Sequence, residues 1–167
     1  YSSEDGFIGG TIGAATATGL QDSGISVFIK HMAMNDNDTN RDGNITWFSE
    51  QAAREIYLKD YEISCKYTYV YDEETDTATR VLGEGVLGIM SSLNRDGISM
   101  FHQGLYKNIL RGEWGFNGLV ETDWGNNSNH AFELKAGNDI KMSSGSPSTL
   151  QSAFEKGFIT RDDLERS

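Results

Sequence analysis

The segment Asn117–Gly125 carries the residue with the clearest chemical potential in this sequence. Its apolar residues lead to Asp123, and Gly125 follows two positions later. This pattern predicts a short buried β-strand that presents a carboxylate at its C-terminal end. In α/β folds that end of a strand faces the crevice where ligands bind, because the strand is rigid while the loops beyond it can vary. Asp123 is therefore the first candidate catalytic residue.

A lysine and a histidine follow a second apolar run. Lys30 and His31 come directly after Ile25–Ile29, which predicts another buried strand. A cationic side chain at such a position is costly to bury unless it meets a carboxylate or a polar ligand. Lys30 and His31 are therefore candidate ligand-binding residues. The alternative is a pair that neighbouring protein groups alone satisfy.

Two neighbouring segments together resemble a known enzyme family. Ile109–Phe116 contains Leu-Arg followed by Glu-Trp-Gly-Phe, and Thr122, Asp123 and Trp124 end the strand that comes next. This order of residues resembles the region around the nucleophile of glycoside hydrolase family 3. The match is long and contains two tryptophans, so it is far more specific than an isolated Asp-Trp pair.

The resemblance implies roles for individual side chains. It implies that Asp123 is the nucleophile and that Lys30 and His31 bind hydroxyl groups of the sugar in the first subsite. By the same resemblance, Met90 is expected to form a wall of the sugar pocket and Trp124 to contact the substrate. These roles come from the family pattern and not from spacing alone.

The resemblance also implies a β-glucoside or a related β-glycoside as the substrate. Met32–Asn35 follows Lys30 and His31 in place of the loop that is typical of the acetylhexosaminidase branch. A β-glucosidase-like or β-xylosidase-like activity is therefore favoured. Leu93 stands where the family carries an aromatic residue, which leaves the preferred sugar and linkage open.

Two carboxyl groups about 5 to 5.5 Å apart are the chemical signature of a retaining glycosidase. Asp123 fits the nucleophile, but no residue here can be assigned as the general acid and base. Glu121 lies two positions before Asp123, so strand alternation points both side chains the same way. Two unpaired carboxylates so close together would raise the pKa of one of them, because each disfavours the charge of the other. We therefore predict that Glu121 is paired with Lys30 or Arg95. Lys30 is also expected to keep Asp123 ionised.

The pattern of apolar runs predicts an α/β fold. Four buried strands are expected, at about 25–30, 86–91, 117–122 and 138–142, each followed by a helix. The family resemblance implies that residues 1–167 form one partial domain, about half of a (β/α)8 TIM-type barrel, which in full usually needs about 250 residues. We expect the missing barrel half and the acid/base domain to come from a parent protein or another chain.

Residues 65–82 predict a β-hairpin. Tyr67, Tyr69 and Tyr71 alternate with other side chains, and an acidic turn at Asp72–Asp76 reverses the chain. The family often passes from the preceding helix to the next strand with little between them, so we interpret the hairpin as an insertion. Its tyrosines either shield a crevice or cover a neighbouring chain.

Composition narrows the choice of partners. The formal net charge of −11 argues against nucleic acid or an anionic membrane, because phosphate binding needs clustered Lys and Arg. No apolar run has the length of a membrane-spanning helix and no signal segment is recognisable, so the compartment stays open between secreted, periplasmic and cytoplasmic. Cys65 is the single cysteine, which predicts a buried, inert thiol. No pattern calls for a cofactor.

Two other functions compete with catalysis. Asp38, Asn40 and Asp42 fall at positions 1, 3 and 5 of an EF-hand-like calcium loop, with Gly43 at position 6. Position 12 is Ser49 instead of a glutamate, and the family carries an asparagine-rich loop here, so we expect no metal. The other alternative is a non-catalytic carbohydrate-binding or assembly module derived from the same fold.

Overall fold

The computed structural model describes residues 2–35, 37, 39, 48–92, 104–126 and 128–167. It is a mixed α/β structure with a parallel sheet and a separate hairpin. In chain order the elements are α1 (Gly6–Asp22), β1 (Phe28–Met32), α2 (Glu50–Ala52), a π-helical segment (Ala53–Tyr57), α3 (Lys59–Lys66), β2 (Tyr67–Asp72), β3 (Thr77–Leu82), β4 (Gly88–Ser91), a second π-helical segment (Gly104–Glu113), β5 (Leu119–Thr122), α4 (His130–Ala136), α5 (Pro147–Glu155) and α6 (Arg161–Arg166).

The parallel sheet brings the C-terminal ends of its strands to one edge. Within the described ranges it has three strands in the order β1-β4-β5. Ser91 of β4 pairs with Met32 of β1 on one side and with Thr122 of β5 on the other. All four residues of β4 are buried, as expected for the central strand of a parallel sheet.

The first strand begins later than the sequence predicts. Ile25 lies outside β1, because its backbone N–H donates to the carbonyl oxygen of Leu20 and closes the C-terminus of α1. Its side chain is 54% exposed. An apolar run directly after a helix can thus belong to the turn that ends that helix, which periodicity alone does not reveal.

The predicted fourth strand, at about 138–142, is reduced to a single bridge between Ile140 and Glu121. The reason lies in the preceding residue. The carboxylate of Asp139 accepts the backbone N–H of Val120 at 2.8 Å, so a side chain takes a hydrogen bond that a regular ladder would give to backbone. The chain pairs with β5 at Ile140 and then leaves it.

The main apolar core lies between the sheet and the helices beside it. Tyr106 is fully buried there, and its hydroxyl donates to the carbonyl oxygen of Met32 at 2.7 Å. Helix α1 packs closely on α3 at Gly10. A Cβ at this position would come within 2.9 Å of the Cα of Asp60, so the close approach requires glycine. No helix in the described part of the chain is long and apolar enough to cross a bilayer.

The predicted hairpin is present as β2 and β3. Its strands are antiparallel, and Tyr67 pairs with Leu82. The hairpin packs on α1, where the hydroxyls of Thr18 and Thr68 lie 2.9 Å apart. It joins α3 to the N-terminal end of β4, so its base lies at the sheet edge opposite Asp123. Its interpretation as an insertion stays a prediction.

The single cysteine lies in the core at the end of α3. Cys65 is a free thiol that is 7% exposed. Burial raises the pKa of this thiol, and the negative charge of Asp60 raises it further. Because the thiolate is the reactive form, the predicted buried and inert character of Cys65 agrees with its position.

Candidate active site

Asp123 lies directly beyond the last residue of β5, at the shared C-terminal edge of the sheet. The residue is only 9% exposed. One carboxylate oxygen, Oδ1, accepts the backbone N–H of Trp124 at 2.7 Å. This bond fixes the rotation of the carboxylate and leaves Oδ2 for other contacts.

His31 supplies the contact to the second oxygen. Its Nε2 atom lies 3.2 Å from Oδ2 of Asp123, and both side chains are largely buried. Since β1 and β5 flank β4, the two residues meet across the end of the central strand. When the imidazole is protonated, this arrangement is an ion pair.

Lys30 has different surroundings from its neighbour. The expectation that Lys30 supplies the positive charge beside Asp123 is wrong, because His31 occupies that place. Lys30 is exposed and lines a cavity of about 180 Å³ together with Asp60 and Tyr61. The cost of burying a lysine, which made Lys30 a candidate ligand-binding residue, does not arise where β1 forms the outer strand of the described sheet.

Glu121 is the carboxylate next to Asp123 along β5. Burial raises the pKa of Glu121, and the negative charge of Asp123 raises it further. The predicted pairing with Lys30 is wrong, since no hydrogen bond or ion pair joins the Glu121 side chain to a described residue. Arg95, the other predicted partner, lies outside the described residues. The Glu121 side chain is half-buried, so water can replace a protein partner.

Met90 and Trp124, the two remaining predicted sugar-contacting residues, differ in exposure. Met90, in β4, is 7% exposed and pairs with Glu121 in the ladder. Trp124 is 56% exposed directly after Asp123. A contact of either side chain with a sugar stays a prediction.

A buried charged cluster adjoins the Asp123 loop, and sequence reasoning missed it. It consists of Asn126, Ser128, Glu133 and Lys141, and we call it the Lys141 cluster. The Nζ atom of Lys141 lies 2.9 Å from each carboxylate oxygen of Glu133. A signal was available, because Lys141 follows the apolar Ile140 near the end of a predicted strand, the pattern that singled out Lys30.

Asn126 connects this cluster to Asp123. Its Nδ2 atom donates to the backbone carbonyl oxygen of Asp123 at 2.9 Å. Its Oδ1 atom accepts from Lys141 and from the hydroxyl of Ser128. The loop that carries Asp123 is therefore tied to a charge pair inside the protein.

Comparison with known proteins gives a consistent relationship. No family profile matches the chain. The chain is 40% identical over 166 residues to β-glucosidase A of Butyrivibrio fibrisolvens, an alignment that covers 99% of this chain and 18% of that protein. It is 35% identical over 182 residues to a β-glucosidase of Ruminococcus albus, covering 100% of this chain and 18% of the relative. The crystal structure of the family 3 β-glucosidase from Bifidobacterium adolescentis matches with a TM-score of 0.80 at 29% identity, over 99% of this chain and 23% of that one.

The chain is homologous to glycoside hydrolase family 3 β-glucosidases. The resemblance inferred from the Asp123 region is thereby confirmed, and it extends over nearly the whole chain. The chain spans about one fifth of the length of the curated relatives, 18% in each of the two cases above. It corresponds to one part of such proteins.

Metal binding has no support in the described ranges. These contain no group of three or more His, Cys, Asp or Glu side chains that could hold an ion. The calcium-loop residues Asp38, Asn40 and Asp42 lie outside the described residues, as does Leu93.

Proposed function

We propose that this chain supplies the nucleophile and part of the sugar subsite of a retaining β-glycosidase that hydrolyses β-glucosides or related β-glycosides. The observation that carries the proposal is the position of Asp123, a buried carboxylate at the C-terminal edge of parallel strands with His31 at 3.2 Å. Homology to β-glucosidases over nearly the whole chain supports it. In this proposal the sheet belongs to the later half of a (β/α)8 barrel.

Asp123 would act as an ionised carboxylate. One of its oxygens attacks the anomeric carbon while the bond from that carbon to the leaving oxygen breaks, and a glycosyl ester forms on Asp123. Water then attacks the same carbon, releases the carboxylate and restores the original configuration. The Trp124 N–H at Oδ1 and His31 at Oδ2 hold the carboxylate in the orientation from which it would attack.

The other carboxyl group must protonate the leaving oxygen and then activate water. No residue of this chain is assigned this role. We expect this carboxyl group to come from the rest of the parent protein or from another chain. Lys30, His31, Met90 and Trp124 are proposed to contact the sugar, in line with the family resemblance. For Lys30 this proposal rests on the resemblance, because Lys30 lines the cavity with Asp60 and Tyr61 while His31 contacts Asp123.

Covalent trapping tests this proposal. The longest polypeptide that carries this sequence is incubated with a 2-deoxy-2-fluoro-β-glucosyl fluoride, a reagent that needs little help from a general acid. We expect intact mass spectrometry to show one added glycosyl group, and peptide mapping to place it on Asp123. In Asp123→Asn the labelling rate should fall about 10⁴-fold or more, as for groups that act directly on the reacting atoms.

A matched control separates the chemistry from a general loss of charge. Asp162 is an exposed aspartate in the first turn of α6, and Asp162→Asn should be labelled at the parental rate. Labelling at a different carboxylate would overturn the assignment of Asp123. Absence of any label on the parental protein would favour a non-catalytic carbohydrate-binding or assembly module.

A further inference from the structure

The Lys141 cluster contains a charge pair that is almost wholly withdrawn from solvent. The side chains of Lys141 and Glu133 are 3% and 1% exposed. The ammonium of Lys141 lies 2.9 Å from both oxygens of Glu133 and donates to the carbonyl oxygen of Ser128 at 3.1 Å. Helix α4 supplies Glu133, and the segment that leaves the sheet after Ile140 supplies Lys141.

This ammonium determines which way the amide of Asn126 faces. Asn126 is 1% exposed, and its Oδ1 atom accepts from the ammonium of Lys141. An ammonium has no acceptor, so an amide beside it must present its oxygen and turn its NH₂ group away. That NH₂ group donates to the carbonyl oxygen of Asp123 at 2.9 Å. Lys141 thus fixes the orientation of the Asn126 amide, and in that orientation the NH₂ group binds the backbone of Asp123.

Stability alone gives little reason for such a pair. Removing two charges from water costs about as much as their attraction returns, and apolar replacements are often neutral or stabilising. A fully satisfied buried network instead holds its members in one arrangement. Here one of those members is the backbone of the residue proposed as the nucleophile.

We propose that Glu133 and Lys141 are positioning residues that hold Asp123 through Asn126. They touch neither the sugar nor the reacting atoms in this scheme. Their effect is to fix the backbone from which the Asp123 carboxylate projects, so that Oδ2 meets the anomeric carbon at the productive distance. This inference rests on the proposed role of Asp123 as nucleophile.

Two sets of substitutions interrupt the connection at different points. Asn126→Ala removes the amide and leaves the Lys141 and Glu133 pair in place. The combined Glu133→Gln and Lys141→Met substitutions remove both charges, so neither partner is left buried as an unpaired charge. Lys107→Met is the control, because Lys107 is also an ion-paired lysine, bound to Asp163 at 2.9 Å.

The measurement is labelling by the 2-deoxy-2-fluoro-β-glucosyl fluoride in the longest polypeptide that carries this sequence. Its dependence on reagent concentration gives a saturating rate constant and an apparent dissociation constant. A nucleophile displaced by about 1 Å loses about 10²-fold in rate. We therefore expect the saturating rate constant to fall about 10- to 100-fold in both sets. The apparent dissociation constant should change by less than about threefold, because sugar-binding groups are untouched.

Combining the two sets gives the sharpest result. If both act through one connection, the combined variant should be no slower than the slower set alone, whereas independent losses would multiply. Parental rates in Asn126→Ala, multiplied losses, or an equal loss in Lys107→Met would each overturn the inference. If Glu133→Gln with Lys141→Met does not fold, Asn126→Ala decides alone. A parental protein that is never labelled at Asp123 overturns the proposed function itself.

Discussion

Glu121 and Asp123 lie two positions apart at the end of β5, yet their surroundings differ. Asp123 has an imidazole at 3.2 Å and a backbone N–H at 2.7 Å. Glu121 has a raised pKa, caused first by burial and then by the negative charge of Asp123. The surroundings of Glu121 therefore disfavour its ionised form, whereas Asp123 has a polar neighbour at each of its two oxygens.

The pH dependence of stability should reveal this difference at Glu121. A carboxyl group whose pKa is raised by folding stabilises the folded state below its unfolded value, about 4.3, and this contribution is lost as pH rises through the folded value. Glutamine carries no charge at any pH. Glu121→Gln should therefore raise the melting temperature at pH 7, and the gain should shrink as pH approaches 4.

Thermal unfolding at a series of pH values measures this effect. Glu4→Gln is the control, because Glu4 is exposed near the start of the chain and such surface changes usually stay within about 0.5 kcal/mol. A gain at Glu121→Gln that is equal at pH 4 and pH 7 would contradict the electrostatic explanation and indicate a packing effect.

At the level of elements, Asp139 holds three pieces of the structure together. Its side chain is 4% exposed and contacts Arg111 of the second π-helical segment at 2.6 Å and Arg166 of α6 at 2.7 Å. It also accepts the backbone N–H of Val120 in β5 at 2.8 Å. One carboxylate thus fixes how a helix, a strand and a terminal helix meet.

Asp139→Ala should be strongly destabilising. It leaves two arginines without their shared partner, and breaking a buried pair in this way costs about 3–5 kcal/mol. Glu165→Ala breaks the exposed contact of Glu165 with Arg161 and should cost less than about 1 kcal/mol. Urea unfolding measures both, and equal losses would show that burial does not distinguish the two pairs.

Two glycines should respond to alanine with opposite signs. A Cβ on Gly118 would lie 2.3 Å from the carbonyl oxygen of Leu87, where β5 starts beside β4, so Gly118→Ala should cost about 1–3 kcal/mol by overpacking. Gly19 lies inside α1, and a Cβ there meets no atom within 4 Å. Gly19→Ala should stabilise by about 0.5–1 kcal/mol. Urea unfolding of both variants checks the signs, and a stabilised Gly118→Ala would contradict the close approach of β4 and β5.

At the scale of the whole molecule, the described sheet is open at β1. Phe28 of this strand is 37% exposed, and on α1 the side chains of Phe7, Ile8 and Ile12 are 55%, 49% and 44% exposed. An unpaired strand edge beside apolar surface favours association with another chain or segment. The proposed half-barrel gives a reason for this surface, because in that arrangement further strands and helices would cover it.

The isolated chain should therefore self-associate. We expect size-exclusion chromatography with light scattering to show species larger than a monomer, and a dye that binds apolar surface to fluoresce in its presence. Longer polypeptides that carry this sequence should show less of both. A monodisperse monomer that does not bind the dye would contradict this expectation and the half-barrel with it.

The sequence by itself determined those features that depend on neighbouring residues. The apolar run before Asp123 predicted β5, the alternating tyrosines predicted the hairpin, and the Leu-Arg to Asp-Trp pattern led to the family. Each is a local signal, because a strand, a turn or a motif is written in consecutive residues. Asp123 could be named for the same reason.

Tertiary structure alone decided which side chains meet. It placed His31 instead of Lys30 beside Asp123, left Glu121 without the predicted lysine, and joined Lys141 through Asn126 to the Asp123 backbone. It also showed that β1 is an outer strand in the described sheet, which removed the premise of a buried Lys30. The physical reason is that burial and ion pairing depend on residues far apart along the chain, and periodicity does not specify which of them the fold brings together.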